Sequence, residues 1–249
     1  MRINNLPAWT YKRSMPNINS ADYDLDLTRK IESSCCGPIA VANIMLYLAK
    51  HSCCRLVPPI YDLNEDHFIS KLIETLAKFM DTTSIGTYPN DLIDGIERYV
   101  INRGYNISIK STGWVYGKKY KEENHPSPDW VMRGILGSSN SILNFANYEY
   151  NDKKDLYKRK KGHLVTATGF VRDWDELLVH DCASFTKPPA HYQLFKFQNI
   201  KLNAFSYSMP TSKYYWLREC NSLGEPYSKL YEPDLKVLDE ALSFEVTPK

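Results

Sequence analysis

The chain has 249 residues, 43% hydrophobic and 24% charged, with a formal net charge of +2. That length can bury a sizeable core as one domain, and the composition leaves little room for long disorder. A near-neutral total argues neither for nor against nucleic-acid binding, which needs a clustered basic face, and no segment reaches the ~18 apolar residues of a membrane span.

The opening "MRINNLPAWTYKRSMPN" lacks the apolar core of a secretory signal, so a cytoplasmic location is expected. The run from Ile39 to Ala49 is almost wholly apolar and rich in helix formers. With Pro38 tolerated in the first turn, it reads as a helix buried on most of its faces. "LNEDHFISKLIETLAKFM" predicts an amphipathic helix, with Asn64 as N-cap, a staple of Leu63 on Phe68, and Phe68, Leu72, Leu76 and Phe79 on one face. A third helix follows in "YPNDLIDGIERYVINRGY", with Leu92, Ile96 and Val100 on one face and Gly104 as its stop, then a short strand through Ile107 and Ile109. Ser127 and Pro128 open a further helix over "SPDWVMRGILG", and "NSILNFANY" reads as a strand.

Between that strand and His163 the chain is charged and tyrosine-rich, which predicts a loop. Its basic cluster "YKRKKG", Tyr157 to Gly162, reads as solvated rather than as a phosphate-binding patch. Two β-rich runs, Leu164–Val171 and Leu177–His180, flank the turn-like "RDWDE" and predict a hairpin that brings His163 and Asp181 to the same end of a sheet. "HYQLFKF" and "KYYWL" read as further strands before a proline-interrupted tail. The order, helices first and mostly antiparallel strands after, predicts an α+β fold in one domain. Its core is expected over about 16–220, with a C-terminal extension over about 221–249.

Six cysteines occur, at 35, 36, 53, 54, 182 and 220. Chain length and compartment argue against a disulfide framework. The adjacent pairs Cys35–Cys36 and Cys53–Cys54 point their side chains apart and lack the spacing of a zinc chelate, so no metal is expected. Cys53, Cys54 and Cys220 read as small buried hydrophobes, and Cys35 as a packing residue. Cys36 differs, because it stands before Gly37-Pro38 at a helix N-terminus, where unpaired N–H groups and the dipole stabilise a thiolate. Gly37 would let a substrate approach the backbone closely. His163 and Asp181 supply what such a thiol needs, a base and a carboxylate that fixes its tautomer.

"SSCCGPIAVANIMLYL" resembles the nucleophile segment of papain-like cysteine peptidases related to the double-glycine leader peptidases of bacteriocin exporters. "GHLVTATGF" looks like that family's histidine strand, "LLVHDCASF" like the strand ending in Asp, and "GTYPNDLIDGIERYVINRGY" like the helix between them. The resemblance covers about Pro16 to Phe185 and implies a papain-like fold, with Cys36 as nucleophile, His163 as base and Asp181 as orienting carboxylate. In that family a glutamine ahead of the cysteine helps form the oxyanion hole. The matching stretch here, "PNINSADY", has Ser20 in its place, with Asn19 beside it as the other substitute donor.

The implied activity is a cofactor-free cysteine hydrolase, a peptidase or amidase, acting on an amide or thioester carbonyl of a peptide or acyl donor. A related acyltransferase or transpeptidase would share the first half-reaction. A peptide-binding domain without effective turnover is the third reading, drawn from the missing glutamine. Neither nucleic acid nor a membrane span is expected, and the sequence leaves the oligomeric state open.

Overall fold

The structure, a computed structural model, describes residues 6–20, 25, 34–58, 65–113, 120–123, 125–183, 193–200, 214–220 and 234–249. Its helices are α1 (Cys36–His51), α2 (Glu65–Phe79), α3 (Pro89–Asn102) and α4 (Pro128–Ile135). Its strands are β1 (Trp9–Tyr11), β2 (Tyr105–Gly113), β3 (Lys121–Glu123), β4 (Asn140–Asn151), β5 (Leu156–Val171), β6 (Glu176–His180), β7 (Gln193–Ile200), β8 (Tyr214–Cys220) and β9 (Asp234–Pro248). The chain is α+β with a mostly antiparallel sheet, as the order of elements predicts; β2 and β3 pair in parallel.

Local signals explain where several elements begin. The Ser127 side chain accepts from Trp130 N–H at 3.2 Å and so caps α4. Helix α3 stops where Gly104 takes a φ of +82°. Of the α2 face, Phe68, Leu72 and Leu76 are buried, while Leu63 and Asn64, the expected staple and cap, lie outside the described residues.

Strands β5, β6, β7, β8 and β9 follow one another by antiparallel pairing, and β4 pairs with both β5 and β9. The six therefore close into a barrel that leaves β2, β3 and β1 as outriders. One core fills the barrel, with Phe145, Val165, Phe170, Phe195 and Leu238 meeting Val131 and Ile135 of α4. A second core lies on its outer face, where Ile39, Ile44 and Met45 of α1 pack with α2 and α3 against Ile142, Leu164, Leu242 and Phe244.

Three expectations change. The charged, tyrosine-rich stretch before His163 is no loop: β4 and β5 form a long hairpin around the turn 152–155, with Asp155 at φ +51°. Exposed aromatic and charged pairs hold it, the Tyr150 and Tyr157 rings at 5.2 Å and Lys160 with Glu149. "YKRKKG" accordingly lies within β5. The tail beyond residue 220 ends in β9, a 15-residue strand pairing with β2, β4 and β8.

Candidate active site

Cys36 is the first residue of α1, where the leading N–H groups have no partner within the helix. Neighbouring Cys35 is 1% exposed within the outer core, as its packing role requires. Helix α1 is fixed against β5 by a polar latch inside the apolar interface. Asn43 donates to Thr166 Oγ1 at 3.2 Å and accepts from Ile18 N–H at 3.2 Å, while Thr166 donates to the Ala40 carbonyl at 2.9 Å. Asn43 stands two turns after Cys36, so the latch sets both the height of the thiol above the sheet and the path of the N-terminal segment.

Thr166 pairs with His180, the last residue of β6, so Asp181 emerges beside the start of the β5 run. His163 Nε2 meets Asp181 Oδ1 at 2.5 Å, and Ala183 N–H donates to the same oxygen at 2.9 Å. The other ring nitrogen, Nδ1, is not engaged by Asp181, and Cys36 lines the same cleft and is electrostatically coupled to the ring. Phe145, directly across from His163 in β4, holds the imidazole edge-to-face at 5.3 Å. His163 and Asp181 thus meet at the same end of the sheet, and Cys36 lines the same cleft as His163.

Burial alone would raise the Cys36 pKa, but the His163 hydrogen bond and charge, with the Leu164 and Gly37 N–H groups, bring it below the ordinary thiol value. Burial likewise works against the charged form of His163, and Asp181 and Cys36 overcome it, lifting the ring to about 9. Burial would raise Asp181 too, yet His163 and the Ala183 N–H hold it below the usual carboxylate range. All three directions favour a thiolate–imidazolium–carboxylate array at neutral pH.

Gly37 is needed for a reason other than substrate approach. A Cβ there would stand 3.0 Å from Thr87 Oγ1 and 3.1 Å from Leu164 Cδ1, so this glycine lets the Thr83–Thr87 loop and β5 close on the helix N-terminus. Ser20 reaches the cleft, but its N–H and its hydroxyl both donate to the Cys182 carbonyl, each at 3.1 Å. Asn19 is not among the residues lining the cleft. Cys53 is buried, whereas Cys54 is exposed because it opens a surface 3₁₀ turn; the Cys220 side chain lies outside the described residues.

The cleft holds about 360 Å³ and has two unlike walls. Ile85 and Tyr88, 75% and 54% exposed, form an apolar rim; Arg159, Lys160 and Lys161 of β5 line the other side. Sequence reasoning read this basic wall as solvated and did not assign Cys182, whose buried sulfur lies within 4.8 Å of His163 and Asp181 ligand atoms. Those three groups are one short of a structural zinc set, and burial holds the Cys182 thiol far above its ordinary value, against the deprotonation that a metal requires.

Searched against protein-family models and against curated proteins, the sequence finds no match. Among the described residues no helix is long and apolar enough to cross a membrane.

Proposed function

We propose that the chain is a papain-like cysteine hydrolase that attacks an amide or thioester carbonyl through Cys36, His163 and Asp181. The observation that carries this reading is one imidazole held at 2.5 Å by Asp181 on Nε2, in the same cleft as a helix-terminal thiol whose pKa it lowers. A structural histidine needs one partner, whereas this one has both partners that nucleophile activation calls for.

His163 takes the Cys36 proton, and Asp181 stabilises the resulting imidazolium in the orientation that keeps Nδ1 toward sulfur. The thiolate attacks the carbonyl carbon, and the oxyanion meets the N–H of Cys36 at the positive end of α1. Collapse of the tetrahedral adduct breaks the carbonyl bond to nitrogen or sulfur, and His163 gives its proton to the leaving group. Water, deprotonated by His163, then releases the acid; an acceptor amine in its place would make the same site an acyltransferase.

The peptide-binding reading is favoured by one observation. The Ser20 hydroxyl spends its proton on the Cys182 carbonyl, which leaves the oxyanion without the side-chain donor that the family's glutamine supplies. A screen of peptide and thioester acyl donors against wild type and Cys36→Ala separates the readings. Turnover by wild type, at least ~10³-fold above the variant, is the expected result; donors that bind both forms equally and are cleaved by neither would establish the binding domain.

A further inference from the structure

Arg159 is bound on one side only. Its Nε donates to Asp239 Oδ2 at 2.7 Å, and Asp239, itself 0% exposed, also accepts from Tyr148 Oη at 3.0 Å. The two partners come together through paired bulges. Lys160 is the extra residue in β5 opposite Asn147–Tyr148, and Asp239 is the extra residue in β9 opposite Asn144–Phe145. Bulges re-aim side chains, and here they turn a strand arginine inward against a buried carboxylate. Next to it Glu240, also 0% exposed, holds the Asn144 amide at 2.7 Å.

The rest of the guanidinium is uncommitted. Neither Nη1 nor Nη2 of Arg159 has a hydrogen-bond partner among the described residues, and the side chain lines the cleft. Its position is close to the chemistry. A Cβ on Gly162 would stand 2.8 Å from Arg159 Nη2, so the guanidinium occupies the space over the residue immediately before His163. A side chain at 162 would push the guanidinium aside.

Lys161, exposed and without an ion pair among the described residues, lies on the same wall, and among the described residues that line the cleft none is Asp or Glu. The acids that offset this charge, Asp239 behind Arg159 and Glu149 beside Lys160, do not line it. A substrate therefore meets the donor edge of a fixed guanidinium, a planar fork that fits a carboxylate with two parallel hydrogen bonds.

We infer that the cleft takes a substrate bearing a carboxylate next to the bond attacked, received by Nη1 and Nη2 of Arg159 with Lys161 at its side. The inference rests on the acyl-transfer reading for what is cleaved, but not for what is bound. A purely structural arginine would not need to line the cleft beside the proposed base. The carboxylate can come from an acidic side chain or from a peptide terminus, since both offer the same two oxygens.

Thiol-directed probes read this without turnover. Cys36 is labelled with iodoacetyl-glutamate amide and its neutral isostere iodoacetyl-glutamine amide, and with iodoacetyl-dialanine as free acid and as amide; rates at Cys36 are followed by peptide mass spectrometry. Because any accessible thiol alkylates at about pH 9, the acid-to-amide ratio is measurable whether or not Cys36 is activated. The expected ratio in wild type is ~10-fold or more in favour of an acid, the glutamate pair indicating a side-chain carboxylate and the dialanine pair a terminal one.

Arg159→Gln should bring the ratio toward ~1, and Gly162→Ala, which displaces the guanidinium while keeping its charge, should do the same. Lys161→Gln, on an exposed residue that folding does not need, should lower it in part. A wild-type ratio near ~1 for both pairs overturns the inference, as does a preference for acid that survives both Gly162→Ala and Lys161→Gln, since the His163 charge would then account for it. Slow labelling at mildly acidic pH with the ratio intact would remove the nucleophile reading and leave the carboxylate site standing; fast labelling with no preference would do the reverse.

Discussion

At Ser20 two hydrogen bonds converge on one acceptor, the Cys182 carbonyl, and the backbone N–H alone would keep that acceptor satisfied. Ser20→Ala should therefore change turnover by no more than a few-fold, in contrast to the ~10²–10³ lost when a working oxyanion donor is removed. Ser20→Gln places an amide where the family carries one and should raise the acylation rate, with the same ~10²–10³ as its ceiling. Steady-state kinetics on a donor found by the screen measures both; a collapse of turnover in Ser20→Ala would make the hydroxyl itself a donor. Cys36 could be singled out as the proposed nucleophile because its signals are local: a Gly-Pro that follows it and a helix that begins on it. Cys182 was not, since its nearness to Cys36 and His163 arises from packing across 146 and 19 residues of sequence, which no spacing reports.

Helix α1 owes its placement to Asn43, a polar side chain, 1% exposed, in an otherwise apolar run. Removing it leaves the Ile18 N–H without its acceptor and breaks the bridge to Thr166. Asn43→Ala should cost ~1–3 kcal/mol, read as a lowered urea midpoint with an unchanged slope. An unchanged midpoint would mean that the apolar contacts of α1 suffice by themselves. Elements with strong ends, such as α4 behind Ser127-Pro128, could be read from sequence because a cap and a first-turn proline act within one turn. The β4–β5 hairpin could not. Its outer half buries little, so charged and tyrosine residues stand where apolar alternation would mark a strand, and the bulge at Lys160 shifts what alternation remains.

For the whole molecule the largest departure from sequence expectation is β9. Its partners β2 and β4 lie some hundred residues earlier, and Leu238 and Ala241 face the barrel core while Leu242 and Phe244 face the helices. Read alone, the segment after the last prolines offers no clue to those partners, because register is set by the strands it joins. A strand that completes the barrel and touches both cores is no appendage. A chain ending at residue 220 should lack a cooperative thermal transition, since it loses the strand that links β4 to β8. A folded, cooperative truncation would mean that the barrel closes without β9.

The proposed activity rests on one thiol held against one imidazole, and the pH dependence of Cys36 alkylation by iodoacetamide tests that most directly. With the thiol lowered by His163 and the ring raised to about 9, wild type should label with a midpoint below the ordinary thiol value of 9.0 and show a second rise near 9, where the imidazolium gives up its proton and frees a more nucleophilic thiolate. His163→Gln should remove the low-pH reactivity and return a single midpoint at or above the ordinary value. A wild-type midpoint at or above 9.0 that His163→Gln leaves unmoved would contradict the account.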